Sequence, residues 1–516
     1  MALDITRLPD DPQQLKQWMV GREALIEQLL SEIARLKRWR FGRSAESLDP
    51  EARGQLALDP TMLPLVPAKA ASEALSVPKL ESTHTKASAG SPRRAPRELP
   101  PELPRIVQMH APRECACPEC GGRLRRLGED TSEQLDYVPG YFQVTRHVRA
   151  KLSCARCSRI VQASAPPRPI ERGLPTAGLL AQVIASKYAD HCPLHRQEGI
   201  SQRSGVQLPR ATLASWVAEA ATVLAPLVDA MGRYVLAAEK LHADDTPLPV
   251  LDPGRGRTRT GRLWAYVRDN RPSSGADPPA VWYRYSPDRR GERPQTHLAP
   301  FRGILQADGY RGFNALYQYG RIVEAACWAH VRRKFYDLYV ADRSPLAAEA
   351  LRRIGLLYLI EREIRGQSVA TRAEIRGDRS GPILAELKAW LDATRLSVSV
   401  KSPLANAIQY ARGRWEALTR FLNDGRIEID NNAAERAIRA LVLGRRNYLF
   451  AGSDAGGQSA ARLYSLIGTA RLNGIDPYRY LRHVLERIAT HPINRIEELL
   501  PWRVAAALCE PARRAA

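Results

Sequence analysis

The chain has 516 residues, a net charge of +22 and 44% hydrophobic content, so it exceeds what one core serves and predicts several folded domains. Excess Lys and Arg gain affinity by displacing counterions from phosphates, which makes nucleic acid the first expected partner. No run approaches the roughly 18 apolar residues of a spanning helix, and Met1 to Asp10 lack a signal-peptide core, so an intracellular protein with no membrane partner is expected.

Residues 1–42 predict an N-terminal helix. Leu15, Trp18, Leu25, Ile26, Leu29, Ile33 and Leu36 recur at helical spacing, the last four in the alternating steps of a coiled-coil seam. Self-association and packing on another domain both remain open. Residues 43–104, rich in Pro, Ser, Ala and charge, read as a flexible linker.

Residues 105–170 hold Cys117-Pro-Glu-Cys120 and Cys154-Ala-Arg-Cys157, separated by an alternating stretch, Tyr137 to Val144, that predicts a hairpin. Two such knuckles supply four thiolates for a tetrahedral structural Zn²⁺, which can hold a segment too small for its own core. Cys115 is an alternative ligand, and a redox pair or ordinary thiols are the bland readings.

Residues 171–235 predict a helix-turn-helix: helices Gly178 to Ala189 and Leu194 to Arg203, a break at Gly205, then a helix opening near Pro209. Arg210, Thr212 and Ser215 fall on the exposed start of the recognition helix, with Leu213 and Trp216 packing inward. Three core helices of no special role are the plainer reading.

After Lys240 the texture changes. Leu241 to Leu251, Gly261 to Arg268 and Ala280 to Tyr285 read as three successive strands, Gly303 to Asp308 as a fourth ending at an acid, and Ile322 to Cys327 as a fifth feeding a helix. Asp244 in the first strand and Asp308 at the end of the fourth form the skeleton of a ribonuclease-H-like nuclease. In such a fold those strands are neighbours, so distant carboxylates converge. A third acid, Glu435, sits in a helix for which Asp430 or Asn431 is the candidate N-cap. Converging carboxylates suit two Mg²⁺ (or Mn²⁺) ions about 3.5–4 Å apart, which stabilise the attacking and leaving oxygens of a phosphodiester. Singly, each acid also has an ordinary reading: Asp308-Gly309 as a turn, Glu435 as an i,i+4 partner of Arg439.

These residues carry a resemblance. His242-Ala-Asp-Asp-Thr-Pro, Leu305-Gln-Ala-Asp-Gly-Tyr, Cys327-Trp-Ala-His-Val-Arg-Arg-Lys-Phe, Asp430-Asn-Asn-Ala-Ala-Glu-Arg-Ala-Ile-Arg and the segment from Gly444 to Gly457 resemble, in order, the transposases of the insertion-sequence-66 family, of the DDE group. The resemblance implies that Asp244, Asp308 and Glu435 are the catalytic triad. It departs where the family commonly has Asp-Glu-Thr and this chain has Asp244-Asp245-Thr246, which leaves Asp245 as a fallback ligand.

The expected catalytic domain spans 236–475. The stretch from Asp308 to Glu435 is too long for one crossover, so a helical insertion at about 337–425 is expected, from helices Pro345 to Arg365, Pro382 to Arg395 and Pro403 to Asn423. Residues 476–516 form a C-terminal helical element. Cys327 and His330 resemble a Cys-x-x-His pair of several DDE groups that positions DNA or supports the site; a packed Cys and a satisfied His are the alternative. Arg332, Arg333, Arg436, Arg439, Arg445 and Arg446 cluster around the acids in sequence and suit phosphate contacts, or a solvated basic face. Gly452 to Gly457 lacks the Gly-Lys-Ser/Thr of a phosphate loop, so ATP binding is not expected.

The expectation is therefore a multidomain α+β DNA transposase of an insertion element. It would cleave strands at transposon ends and transfer them to target DNA in a bacterial cytoplasm, associated with the nucleoid. It is expected to act as a homo-oligomer, with small accessory proteins of the same element. The rival is an inactive transposase-derived DNA-binding regulator. A tyrosine recombinase would leave the three acid motifs unexplained.

Overall fold

The computed structural model describes residues 174–318 and 320–509, with 151–153, 160–162, 167–170 and isolated positions 11, 13, 140, 142 and 144. The chain divides into two units, 1–71 with 149–516, and 72–148; the architecture that follows belongs to the first. The predicted N-terminal helix, the linker, the four knuckle cysteines and nearly all of the predicted Tyr137–Val144 hairpin lie outside the described residues. A short antiparallel pair, β1 (Lys151–Ser153) and β2 (Ile160–Gln162), flanks the Cys154–Cys157 knuckle.

Among the described residues, helices α1 (Ala177–Tyr188), α2 (Leu194–Arg203), α3 (Arg210–Val223) and α4 (Ala225–Leu236) precede the sheet. Between α2 and α3 the chain turns at Gly205, whose φ of +79° is open to glycine at little cost. No side chain at Pro209 caps α3. The Glu198 carboxylate of α2 accepts from Arg210 N at 3.1 Å instead, binding the two helices as it caps one. Leu213 and Trp216 are buried and Arg210 and Ser215 exposed, as the helix-turn-helix pattern predicts, with Thr212 half-buried.

The sheet has five strands: β3 (Lys240–Asp252), β4 (Arg257–Arg268), β5 (Ala280–Ser286), β6 (Gly303–Gln306) and β7 (Ile322–Ala325), in the order β5-β4-β3-β6-β7. The first three pair antiparallel; β6 joins β3 in parallel, and β7 joins β6 in parallel. The predicted first and fourth strands are thus neighbours.

Helix α5 (Trp328–Asp342) leaves β7, and α6 (Pro345–Glu363), α7 (Gly381–Ser397) and α8 (Pro403–Arg412) build the predicted helical insertion. The third predicted helix is broken: α8 ends at Arg412, and a separate turn, Trp415–Thr419, follows Gly413. The chain returns through α9 (Asn432–Tyr448), then α10 (Asp454–Leu472), α11 (Pro477–Arg487) and α12 (Pro501–Cys509). No single described helix is long and apolar enough to cross a membrane.

Two hydrophobic clusters organise these elements. The larger runs from Ile170 to Val504 and joins α1–α4, the sheet and α9–α12, so the four helices before the sheet share its core. Along the edge strand β5, Ser465 and Thr469, at i and i+4 on α10, accept from Tyr283 N at 2.8 Å and Val281 N at 3.0 Å, occupying donors that would otherwise invite another strand. The smaller cluster joins Leu351, Ile354, Leu357, Leu387 and Ile408 of the insertion to Trp328, Val331 and Phe335 of α5 and to Ile304 and Ala325 of the sheet. Each fully buried Leu or Ile there contributes about 1.5–3 kcal/mol relative to exposure. α5 therefore has two faces: 328, 331 and 335 pack on the insertion, while 330, 333, 334 and 337 look into a cleft over the sheet.

Candidate active site

Strand register brings the first two acids together. β3 and β6 pair as Lys240↔Ile304, Leu241↔Leu305 and His242↔Gln306, and continuing that register by two residues sets Asp244 beside Asp308. Asp308 lies just past β6, where Gly309 turns the chain with φ +81°, a conformation that favours glycine, and the Arg414 guanidinium packs close against it. Backbone donors orient both carboxylates: Asp245 N donates to Asp244 Oδ1 at 2.7 Å, and Tyr310 N to Asp308 Oδ1 at 3.0 Å.

Glu435 arrives in the first turn of α9. Both candidate capping residues act there, neither as a simple cap. Asp430 Oδ1 accepts from Asn432 N at 3.1 Å. Asn431 is the N-cap by position, yet its side chain turns to the sheet: Nδ2 donates to the Ala243 carbonyl at 2.9 Å, and Oδ1 lies 3.1 Å from His242 Nδ1. Burial pushes His242 down to about 3, so its ring is neutral and serves as a fixed polar strut. Asn431 thereby fastens the start of α9 to the residue preceding Asp244.

The three acids line one cleft of about 360 Å³. Arg262, Arg289, Arg333, Lys334 and Arg445 also line it, together with Asp245 and Asp337. Asp244 and Glu435 are buried, and Asp308 is half-buried. Burial, then the Asp308, Asp245 and Glu435 charges, hold the Asp244 carboxyl well above its usual range. Burial, with Asp430 and Asp308 nearby, pushes Glu435 up to about 8. Both Glu435 carboxylate oxygens are buried with no hydrogen-bond partner. An unsatisfied buried acceptor costs about 1–3 kcal/mol, so the arrangement is built for something to bind there.

Asp245 has a different situation. Its Oδ2 accepts from Arg262 at 3.0 Å, and its Oδ1 from Arg289 at 2.8 and 3.1 Å. Both oxygens are engaged by guanidinium groups, so its lone pairs are occupied while those of Glu435 are open. Arg289 is further held by stacking over Tyr310, 4.2 Å from the ring centroid.

Of the arginines singled out from the sequence, Arg333 and Arg445 line the cleft, whereas Arg332, Arg436, Arg439 and Arg446 do not. Arg332 looks away because one helical position rotates a side chain by about 100° from its neighbour. Arg262, Arg289 and Lys334 complete the wall without having been foreseen. Arg262 and Arg289 lie far from any acid motif in sequence, and Lys334 lies within the Cys327–Phe335 segment beside two arginines that drew attention first. His330 also lines the cleft, with Nδ1 3.8 Å from Glu435 Oε1, and Cys327 lies buried behind it.

Comparison with known proteins agrees with the resemblance read from the motifs. The profile described as Transposase IS66 family matches residues 172–459, and its C-terminal element matches 465–502. The zinc-finger binding domain of transposase IS66 matches 114–158, which contains all four knuckle cysteines and supports a structural zinc. A further profile, Transposase C of IS166 homeodomain, matches 28–107. Uncharacterized protein y4jD of Sinorhizobium fredii is 39% identical over 97% of this chain and 98% of its own length. Uncharacterized protein y4qI of the same organism is also 39% identical, over 97% and 98%. Uncharacterized protein y4hP is 43% identical over 78% of this chain and 75% of its own. With a matching profile over more than half the chain and near full-length relatives, the chain belongs to the IS66 transposase family.

Proposed function

We propose that this transposase works by DDE chemistry, with Asp244, Asp308 and Glu435 as the catalytic carboxylates. One observation carries the reading: three acids from two neighbouring strands and a covering helix meet in one cleft that Arg and Lys side chains also line, with Glu435's oxygens buried and unpaired. The strand order, three antiparallel strands followed by two parallel ones on the far side of the first, supports a ribonuclease-H-like catalytic fold.

The donor set fits hard divalent cations such as Mg²⁺ or Mn²⁺, because it consists of carboxylate oxygens that repel one another until a cation neutralises them. When bound, a pair of such ions would lower the barrier by stabilising charge on the attacking and leaving oxygens. The chain's own groups do the rest. Asp244 and Asp308 are held in place by backbone N–H groups, and Asn431 fixes the approach of Glu435. Arg262, Arg289, Arg333, Lys334 and Arg445 suit gripping the DNA backbone beside the cut. Water would attack a phosphodiester at a transposon end to release a 3′-hydroxyl, and that hydroxyl would attack target DNA in the same cleft.

Double-stranded DNA is the partner, with the zinc finger and the Arg210, Thr212, Ser215 face of α3 reading the element's ends. Pairing of protomers through the N-terminal helix would hold both ends together. The test is Mg²⁺-dependent nicking of DNA carrying the flanking ends. Intact protein should nick at the ends, and Asp308→Ala should not. Nicking that survives Asp308→Ala would sink the triad.

A further inference from the structure

Behind the three acids lies a second donor cluster of different chemistry. Cys327, His330 and Glu435 each present one ligand atom, and these atoms lie within 4.8 Å of one another. Cys327 and His330 come from the start of α5, three residues apart on one helical face, and Glu435 from the first turn of α9. His330 Nδ1 and both oxygens of Glu435 are buried without a hydrogen-bond partner, although Nδ1 and Oε1 are only 3.8 Å apart.

The sulfur is prepared for negative charge. Cys327 is the N-cap of α5, where the helix dipole favours an anion, and Asn431 N donates to its Sγ at 3.2 Å. A cation placed among the three side chains would satisfy the orphaned nitrogen and oxygens together.

We propose that Cys327, His330 and Glu435 form a binding site for a thiophilic divalent cation of the zinc class, separate from the zinc finger and sharing Glu435 with the hard-cation site. One sulfur, one imidazole nitrogen and one carboxylate oxygen suit a borderline-soft ion, whereas Mg²⁺ takes oxygen ligands. Tetrahedral zinc, with bonds of about 2.0–2.3 Å, holds its ligands about 3.5 Å apart, so the side chains must draw in by about 1 Å. His330 and Glu435 line the cleft, which supplies both an entry path and the direction of a fourth, open position. Binding releases the thiol proton to solvent. Only the sharing of Glu435 rests on the proposed cleavage chemistry.

The test needs no DNA, so its failure and a failure to nick are distinguishable. Full-length protein, its zinc finger saturated with Zn²⁺, is titrated with Co²⁺ while thiolate-to-cobalt charge-transfer absorption is followed and bound metal is counted by mass spectrometry. The wild type should take up one further equivalent per chain that Cys327→Ser and His330→Gln do not. Glu435→Gln should weaken that uptake about tenfold or more, and excess Mg²⁺ should shift the wild-type titration to weaker apparent affinity. Circular dichroism checks the fold of each variant, and should Cys327→Ser not fold, His330→Gln decides. Equal uptake by the wild type and a folded His330→Gln overturns the proposal.

Discussion

The protein buries two groups of acids, and they are solved in opposite ways. In the insertion, Glu361 and Glu428 meet the buried guanidinium groups of Arg372 and Arg376: Arg376 donates to both oxygens of Glu361 at 2.7 Å, and Arg372 donates to Glu428 at 2.8 Å. Although burial opposes it, the Lys240 and Arg372 charges hold Glu428 below its ordinary range. In the cleft, Asp244 and Glu435 face other acids, and both are held above theirs. Every charge in the first group is hydrogen-bonded to a counter-charge within the chain. In the second group cations are near, yet both oxygens of Glu435 are without a hydrogen-bond partner and the acids face one another. Burial of an acid alone would not separate the two; the sign of its partners does.

Breaking each group should therefore have a different readout. The largest expected effect is on chemistry: Asp244→Asn should lower nicking about a thousandfold or more, roughly 4 kcal/mol in transition-state terms, with unfolding by denaturant little changed. In the insertion the order reverses. Glu361→Gln strands a buried arginine and should cost about 3–5 kcal/mol of stability, measured by denaturant unfolding.

The comparison sharpens with pH. In the metal-free protein Glu435 gives up its proton near pH 8, but when unfolded near its ordinary value of 4.5. The unfolded state therefore binds fewer protons across that window, and stability should fall as pH rises through it. Thermal unfolding between pH 5 and pH 8 should show that fall, reduced by Mg²⁺ and by Glu435→Gln; a flat profile in the metal-free wild type would contradict the assignment.

Smaller effects test the supports. Asn431→Ala removes the link between α9 and Ala243 and should cost about 1–3 kcal/mol, with a further loss of nicking because Glu435 is no longer fixed. Arg333→Ala should leave stability nearly unchanged and reduce the salt slope of DNA binding by about 1, measured by titrations at several ionic strengths.

Much of the fold was legible because its signals are local. Turns rich in Gly, Pro and Asp bounded β3, β4 and β5, and helical periodicity announced α6 and α7. The single long helix expected from Pro403 failed at Gly413, where the choice between continuing and turning depends on packing against the sheet: Arg414 must reach back to donate to the Gly309 carbonyl at 2.9 Å. The acids were legible through their motifs, and Asp308-Gly309 through its turn. The basic wall was half legible, since proximity in sequence found Arg333 and Arg445, but Arg262 and Arg289 reach the cleft only because β4 pairs with β3 and the chain after β5 folds back over it.

By itself the sequence determined which residue types were available and in what local conformation: carboxylates within a strand, just past another and in a helix's first turn, cysteines at knuckle spacing, cations in excess. Local propensity and spacing act over a few residues, so they carry that much. Only the tertiary structure gave Asp244 and Asp245, neighbours in one strand with the same chemistry, different partners in the cleft they share. Asp245 meets the Arg262 and Arg289 guanidinium groups while Asp244 faces Asp308 and Glu435, because elements distant in sequence bring those groups to each.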